Sequence, residues 1–102
     1  MTEEISITDA EYLVVLKAIL VVQHSRELHL REIGAILGAI FHGRRIRGIG
    51  LEGAARRVLE EHCPGRAAYD SATNKPPPYF SSVADGWYGW RAGVDLDGRT
   101  ER

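Results

Sequence analysis

The chain has 102 residues, 44% of them hydrophobic and 26% charged, with a formal net charge of −1 at pH 7. This ordinary balance excludes wholesale disorder and predicts one small globular domain, with no charge excess that points to nucleic acid. The single cysteine, Cys63, excludes an internal disulfide and a cysteine-built zinc site, and no apolar run is as long as a membrane span. We therefore expect a soluble cytoplasmic protein without a signal peptide.

The first predicted helix runs from Thr8 to about Gln23, and a capping box of Thr8 and Glu11 marks its start. Leu13, Leu16, Ile19 and Leu20 form one apolar face, and Val14, Val15, Ala18, Val21 and Val22 form another, roughly opposite. A surface helix needs only one such face, so the second must be covered. We favour a homodimer through this second face over coverage by the N-terminal arm (Ile5, Ile7) or the C-terminal tail.

A short strand and a second helix are predicted next. Leu28 and Leu30 flank His29 in the alternation typical of a strand, and a helix follows from Arg31 to about Phe41. The apolar stripe of this helix consists of Ile33, Ile36, Leu37, Ile40 and Phe41. Gly34 and Gly38 lie beside the stripe, where the absence of a side chain lets another helix approach closely.

A glycine-punctuated basic loop, residues 42–50, leads to a third helix from Leu51 to about His62, which Pro64 and Gly65 end. The sequence predicts one apolar face for this helix (Leu51, Ala55, Val58, Leu59 and His62) and one polar face (Gly53, Arg56, Arg57, Glu60 and Glu61). Residues 65–78 are typical of a loop and end in three prolines.

The last predicted unit is a β-hairpin. Its arms are residues 79–84 and 87–91, joined by Asp85 and Gly86, a dipeptide that suits a two-residue type I′ turn. Alternation places Tyr88 and Trp90 in the core and leaves Trp87 on the other side, as a candidate interface residue. The chain after Gly93 is polar, and we expect it to be frayed.

Helix, short strand, helix, basic loop, helix and hairpin together predict an α+β winged helix-turn-helix fold: three helices and a small antiparallel sheet with a C-terminal hairpin wing. The predicted boundaries are an N-terminal arm over residues 1–7, the domain over 8–92 and a tail over 93–102. The short strand would complete the sheet, because a lone two-stranded hairpin is only marginally stable.

Two segments carry a family resemblance. The sequence from Arg26 to Ile33 (RELHLREI), whose Glu-Ile opens the second helix, resembles the start of the HARE-HTH group, winged helices found in chromatin proteins and beside restriction endonucleases. The ending is similar to the closing wing of that group, whose pattern is filled in register by Phe80, Val83, Gly86, Tyr88 and Trp90. The resemblance covers about residues 10–91 and implies a nucleic-acid-targeting role in transcription regulation or a restriction-like system, without catalysis.

Charge is segregated along the chain. Residues 42–66 hold six arginines against three glutamates, whereas the first twelve residues hold four acids and no lysine or arginine. In a helix-turn-helix domain the third helix enters the major groove of double-stranded DNA, so its arginines would face bases and the loop arginines would hold phosphates. The predicted DNA-binding residues are Arg44, Arg45, Arg47, Gly53, Arg56, Arg57 and Lys75.

A protein-interaction module without DNA binding is the alternative. Arg56 can pair with Glu60 and be satisfied on a solvated helix face, and Arg57 can pair with Glu61 in the same way. The acidic Asp85 at the predicted wing tip, the near-zero net charge and the second apolar face of the first helix also favour this interpretation.

No enzyme chemistry is predicted. His24, His29, His42 and His62 show no spacing typical of metal ligands, and no carboxylate pattern completes a site. The neighbours His62 and Cys63 would point about 100° apart on a helix, which excludes a Cys–His nucleophile. We expect His62 to be partly buried and hydrogen-bonded, and we predict no metal, no cofactor and no small-molecule substrate.

Overall fold

A computed structural model describes residues 7–23, 26–41 and 50–99 of the chain. Within these residues the chain forms an α+β fold, with four helices and a three-stranded antiparallel sheet. In chain order the elements are α1 (Asp9–Val21), β1 (Leu28–His29), α2 (Leu30–Ile40), α3 (Leu51–Glu61), α4 (Ala67–Asp70), β2 (Phe80–Ser81) and β3 (Trp87–Trp90). Among the described helices, none is long and apolar enough to cross a membrane.

The starts of α1 and α2 are determined by side-chain caps. The capping box at α1 is confirmed, because Thr8 Oγ1 accepts a hydrogen bond from the Glu11 amide at 3.2 Å and the Glu11 carboxylate accepts one from the Thr8 amide at 3.4 Å. At α2 the cap is His29, whose Nδ1 accepts from the Arg31 amide at 3.1 Å. The helix therefore begins at Leu30, one residue earlier than predicted.

α3 packs on both α1 and α2 through small and apolar residues, and these contacts form the centre of the core. Its buried side chains are Ala54, Ala55, Val58 and Leu59. The close approach predicted at Gly34 is confirmed: a Cβ atom built on this glycine would lie 2.6 Å from the Cγ atom of Glu52 in α3. The other glycine, Gly38, lies where a Cβ would be 3.5 Å from Leu51 Cδ1.

Two of the predicted apolar stripes are narrower than expected. On α2, Ile33, Leu37 and Phe41 are buried, but Ile36 and Ile40 are exposed, because the core extends from this line towards Leu30 and Gly34 and leaves the other side uncovered. On α1, the buried line is Tyr12, Leu16 and Leu20, and the predicted second face is divided. Val15 and Val21 pack against the core, whereas Val14, Ala18 and Val22 are exposed.

β3 is the central strand of the sheet, between β1 and β2. Tyr88 lies opposite Leu28, and Trp90 lies opposite Phe80. The predicted burial of Tyr88 and Trp90 is confirmed, and both side chains lie in the core cluster.

The predicted two-residue type I′ turn is not formed. Residues 82–86, which we call the β2–β3 loop, connect the strands, and of Asp85 and Gly86 only Gly86 has a positive φ, of 86°. A type I′ turn needs a positive φ at both central residues. Tertiary contacts hold the loop instead: the Glu27 carboxylate accepts from the Val83 amide at 3.2 Å, and the Asp85 side chain turns towards α3.

The segment after β3 packs on the domain. The Trp90 indole N–H donates to the Val94 carbonyl at 2.8 Å, and Val94 is buried. Val21 of α1 lines a depression together with residues 90–96, so this segment lies beside part of the second face of α1. The Asp95 carboxylate accepts from the amides of Asp97 and Arg99, which closes a turn where we expected a frayed tail. The loop predicted over residues 65–78 also contains a helix, α4.

We expect Gly34→Ala to lower the free energy of unfolding by about 1 kcal/mol. The added methyl group must displace the Glu52 side chain, and such overpacking costs about 1–3 kcal/mol, offset by the better helix propensity of alanine, about 0.5–1 kcal/mol. In a Glu52→Ala background, which removes Cγ, Gly34→Ala should instead be neutral or stabilising. Urea denaturation of the four proteins measures both effects, and an equal cost in the two backgrounds would contradict the close approach.

Candidate nucleic-acid interface

The exposed face of α3 carries three of the residues predicted to bind DNA. Gly53, Arg56 and Arg57 are exposed, while the opposite face of the helix is buried against α1 and α2. The amphipathic pattern of the third helix is thus confirmed. Because Arg56 and Arg57 are neighbours, their side chains leave the helix about 100° apart, and each reaches a different part of the fold.

Arg56 points towards the β2–β3 loop. Its terminal NH2 group donates to Asp85 Oδ1 at 2.7 Å, and its Nε donates to Glu60 Oε1 at 3.4 Å. The two carboxylates raise the pKa of Arg56 above its ordinary value, with Asp85 contributing most. The predicted pair with Glu60 is therefore confirmed, but the shorter contact is with Asp85.

Arg57 points towards the start of α1. Its guanidinium donates to Asp9 Oδ1 at 2.5 Å, across 48 residues of sequence. The predicted pair with Glu61 is not among the described salt bridges. Asp9, which is far from the basic segment in sequence, therefore lies against α3 in the folded chain.

Arg66 is a residue of this surface that the sequence analysis did not single out. Its NH2 group donates to Ser82 Oγ at 2.5 Å, and its NH1 group lies 3.9 Å from Asp85 Oδ1. Only 26% of its side chain is exposed. The available signal was its position as the sixth arginine of the basic segment over residues 42–66.

Glu60 links Arg56 to the buried centre of the sheet. The Tyr88 hydroxyl donates to Glu60 Oε1 at 3.2 Å, the same oxygen that accepts from Arg56. Burial, followed by the charge of Glu60, raises the pKa of Tyr88 to about 12. Two charged side chains on the surface are thus oriented by a hydrogen bond from a core tyrosine.

The remaining predicted DNA-binding residues lie elsewhere. Lys75 donates to the carbonyls of Tyr69 and Asp70, at 3.1 and 2.8 Å, so its ammonium group caps the end of α4. Its charge is therefore directed at backbone carbonyls rather than at the face of α3. Arg44, Arg45 and Arg47 lie outside the described residues.

The predicted interface residues form two separate groups. Trp87 is 40% exposed and packs against His29 in edge-to-face geometry, with ring centroids 5.1 Å apart. Val14 and Val22 are 67% and 72% exposed, with Ala18 between them. These three residues, spaced four apart, form a single line along α1, which we call the valine stripe.

His62 and Cys63 both pack within the fold. His62 Nδ1 lies 2.8 Å from the Pro77 carbonyl oxygen, and its ring packs on Tyr79, as expected of a partly buried, hydrogen-bonded histidine. The Cys63 thiol is buried, which raises its pKa, and its closest hydrogen-bond partner is the Pro64 carbonyl. In the described part of the chain, no group of three or more metal-ligating side chains is present.

Around α3, the guanidinium groups of Arg56, Arg57 and Arg66 face the carboxylates of Asp9, Glu60 and Asp85. Both partners of the Arg56–Asp85 pair are well exposed, at 45% and 68%, and the Arg57–Asp9 pair is similar. Exposed ion pairs contribute only about 0–1 kcal/mol each. An external anion can therefore replace the carboxylate of Asp85 or of Asp9 at a small cost in free energy.

Comparisons of the chain with models of protein families, with curated proteins and with solved structures give no match.

We expect the stability of the protein to fall between about pH 10 and pH 12 because of Tyr88. Its pKa is about 12 in the folded chain and near 10 when unfolded, so in this range the unfolded state loses the proton first and becomes favoured. Urea denaturation at about pH 9 and pH 11 should show a larger loss for the wild type than for Tyr88→Phe. Equal losses would contradict the raised pKa.

Proposed function

We propose that this chain is a winged helix-turn-helix domain that binds double-stranded DNA through α3, without catalytic activity of its own. The proposal is supported by the order of its elements: α2 and α3 pack as consecutive helices, and the β2–β3 loop lies beside the exposed face of α3. In such a domain this loop is the wing. The resemblance to the HARE-HTH group supports a role in transcription regulation or restriction-like DNA targeting.

The observation that carries the proposal is the placement of Arg56 and Arg57. Both lie on the exposed face of α3, and exposed carboxylates are their partners. Side chains at these positions reach base edges when such a helix enters the major groove, and arginine binds guanine through two hydrogen bonds. Gly53, one turn earlier on the same face, lets the backbone approach the DNA.

We expect the protein to bind a labelled mixed-sequence duplex, measured by fluorescence anisotropy. The affinity should fall about 10- to 500-fold between 50 and 200 mM salt, as roughly two to five phosphate contacts require. Arg56→Ala and Arg57→Ala should each weaken binding to a preferred site by about 1–3 kcal/mol. Arg99→Ala is the control, because it removes an exposed arginine from the C-terminal turn and changes the net charge by the same amount. It should change the affinity for the duplex little.

Unchanged affinity in both α3 variants would contradict the proposal that this helix contacts the DNA. The absence of salt-sensitive binding at the lower salt concentration would contradict the proposed function as a whole.

A second candidate is a protein-interaction module, and the balanced charges around α3 together with the valine stripe favour it. The partner we propose is a second copy of the chain, docked through the stripe. Such a homodimer is also compatible with DNA binding, because helix-turn-helix dimers place two recognition helices on one duplex. The valine stripe lies on α1, whereas Arg56 and Arg57 lie on α3, so the proposed dimer contact and the proposed DNA contact use different helices.

We expect the wild type to have twice the mass of the 11.3 kDa chain in size-exclusion chromatography with light scattering. Val14→Glu combined with Val22→Glu should give the monomer, because it places charges in the apolar contact. Val83→Glu, which alters an exposed valine in the β2–β3 loop, is the matched control and should leave the mass unchanged. A monomeric wild type at micromolar concentration would contradict the homodimer.

A further inference from the structure

Asp85 is the point where the charges of the β2–β3 loop and α3 meet. Its Oδ1 atom lies 2.7 Å from the NH2 group of Arg56 and 3.9 Å from the NH1 group of Arg66. One exposed carboxylate is therefore positioned between two guanidinium groups, one from the middle of α3 and one from Arg66, the residue that precedes α4. This is the arrangement of an anion site with the anion supplied by the protein itself.

The two guanidinium groups are oriented by partners other than Asp85. The Nε of Arg56 is bound to Glu60, which the Tyr88 hydroxyl holds in turn. The NH2 group of Arg66 is bound to Ser82 Oγ at 2.5 Å. Both groups thus keep a second contact if the Asp85 carboxylate leaves, so a replacing anion would meet prearranged donors and would not have to order them.

Asp85, the partner that an external anion would replace, is more exposed than the side chains around it. The Asp85 side chain is 68% exposed, compared with 26% for Arg66 and 25% for Glu60. The loop itself stays attached through the contact between the Glu27 carboxylate and the Val83 amide, which does not involve Asp85. Rotation of one exposed side chain therefore opens the site, without rearrangement of the loop.

We propose that Arg56 and Arg66 form a binding site for a backbone phosphodiester of DNA, and that Asp85 occupies this site in the unbound protein. The inference rests on the proposed function and changes one part of it: Arg56 contacts a backbone phosphate, and Arg57 is left as the arginine of α3 that faces the bases. A phosphodiester carries the same single negative charge as the carboxylate and presents two unesterified oxygens, which match two guanidinium groups. Asp85 competes with the phosphate and lowers the affinity for DNA backbone of any sequence.

The first test compares Asp85→Asn with the wild type in duplex binding at about 50 mM salt. Asparagine keeps the size of the side chain and removes its charge, so the affinity should rise about 2- to 5-fold, the size of one exposed ion pair. Asp97→Asn changes the net charge equally, in an exposed turn near the C-terminus, and should leave the affinity almost unchanged. An equal rise in both variants would show a general charge effect and overturn the proposal.

The second test uses inorganic phosphate as the probe and does not depend on DNA. The arginine Nε signals of Arg56 and Arg66 are followed by NMR while phosphate is added to the Asp85→Asn protein. Both signals should shift together with one dissociation constant, and Arg66→Ala in the same background should weaken the binding of phosphate. The absence of any shift would overturn the site, even if the wild type binds duplex normally.

The two tests separate the two proposals. If Asp85→Asn binds phosphate but neither protein binds duplex, the anion site is supported and its assignment to DNA is overturned together with the proposed function. If the wild type binds duplex and Asp85→Asn gains nothing on duplex or phosphate, the proposed function stands and the role of Asp85 is overturned.

Discussion

The close contact between α2 and α3 is the constraint on which the rest of the structure depends. Gly34 leaves room for the Glu52 side chain of α3, and the face of α3 that carries Ala54 and Ala55 is buried, so a rotation of α3 would displace Glu52 and expose part of the core. A fixed rotation of α3 determines the directions of the side chains on its outer face. The orientation of Arg56 towards the sheet and of Arg57 towards α1 is therefore a consequence of packing in the core.

Charged residues that are far apart in the sequence become neighbours of opposite sign in the fold. The basic segment and the acidic N-terminal region are separate along the chain, yet Asp9 meets Arg57 across 48 residues and Asp85 meets Arg56 across 29. The same close packing of α3 brings both carboxylates within reach. A basic patch inferred from sequence is, in the described part of the chain, a surface of alternating charges in which each arginine of α3 has an acidic partner.

The parts of the fold that sequence could predict are those governed by local rules. The capping box of α1, the amphipathic pattern of α3 and the burial of Tyr88 and Trp90 depend on spacing within one element, and all three are confirmed. The β2–β3 loop depends instead on Glu27, which lies 56 residues away from Val83. No local pattern could have shown that this carboxylate would replace a type I′ turn, or that Arg57 would choose Asp9 over Glu61.

The weakness of the ion pairs around α3 also determines what they can contribute. Exposed pairs add about 0–1 kcal/mol each, so they are a minor part of the stability of the domain, which comes mainly from the burial of its apolar core. Their larger effect is on the local field: a carboxylate beside each guanidinium cancels the long-range attraction for a polyanion. If α3 enters the major groove, phosphates compete with Asp85 one contact at a time, while base contacts are gained only at a matching site. Under the proposed function, the acidic partners lower the affinity for the DNA backbone of any sequence, so the protein is held firmly only where base contacts add to the phosphate contacts.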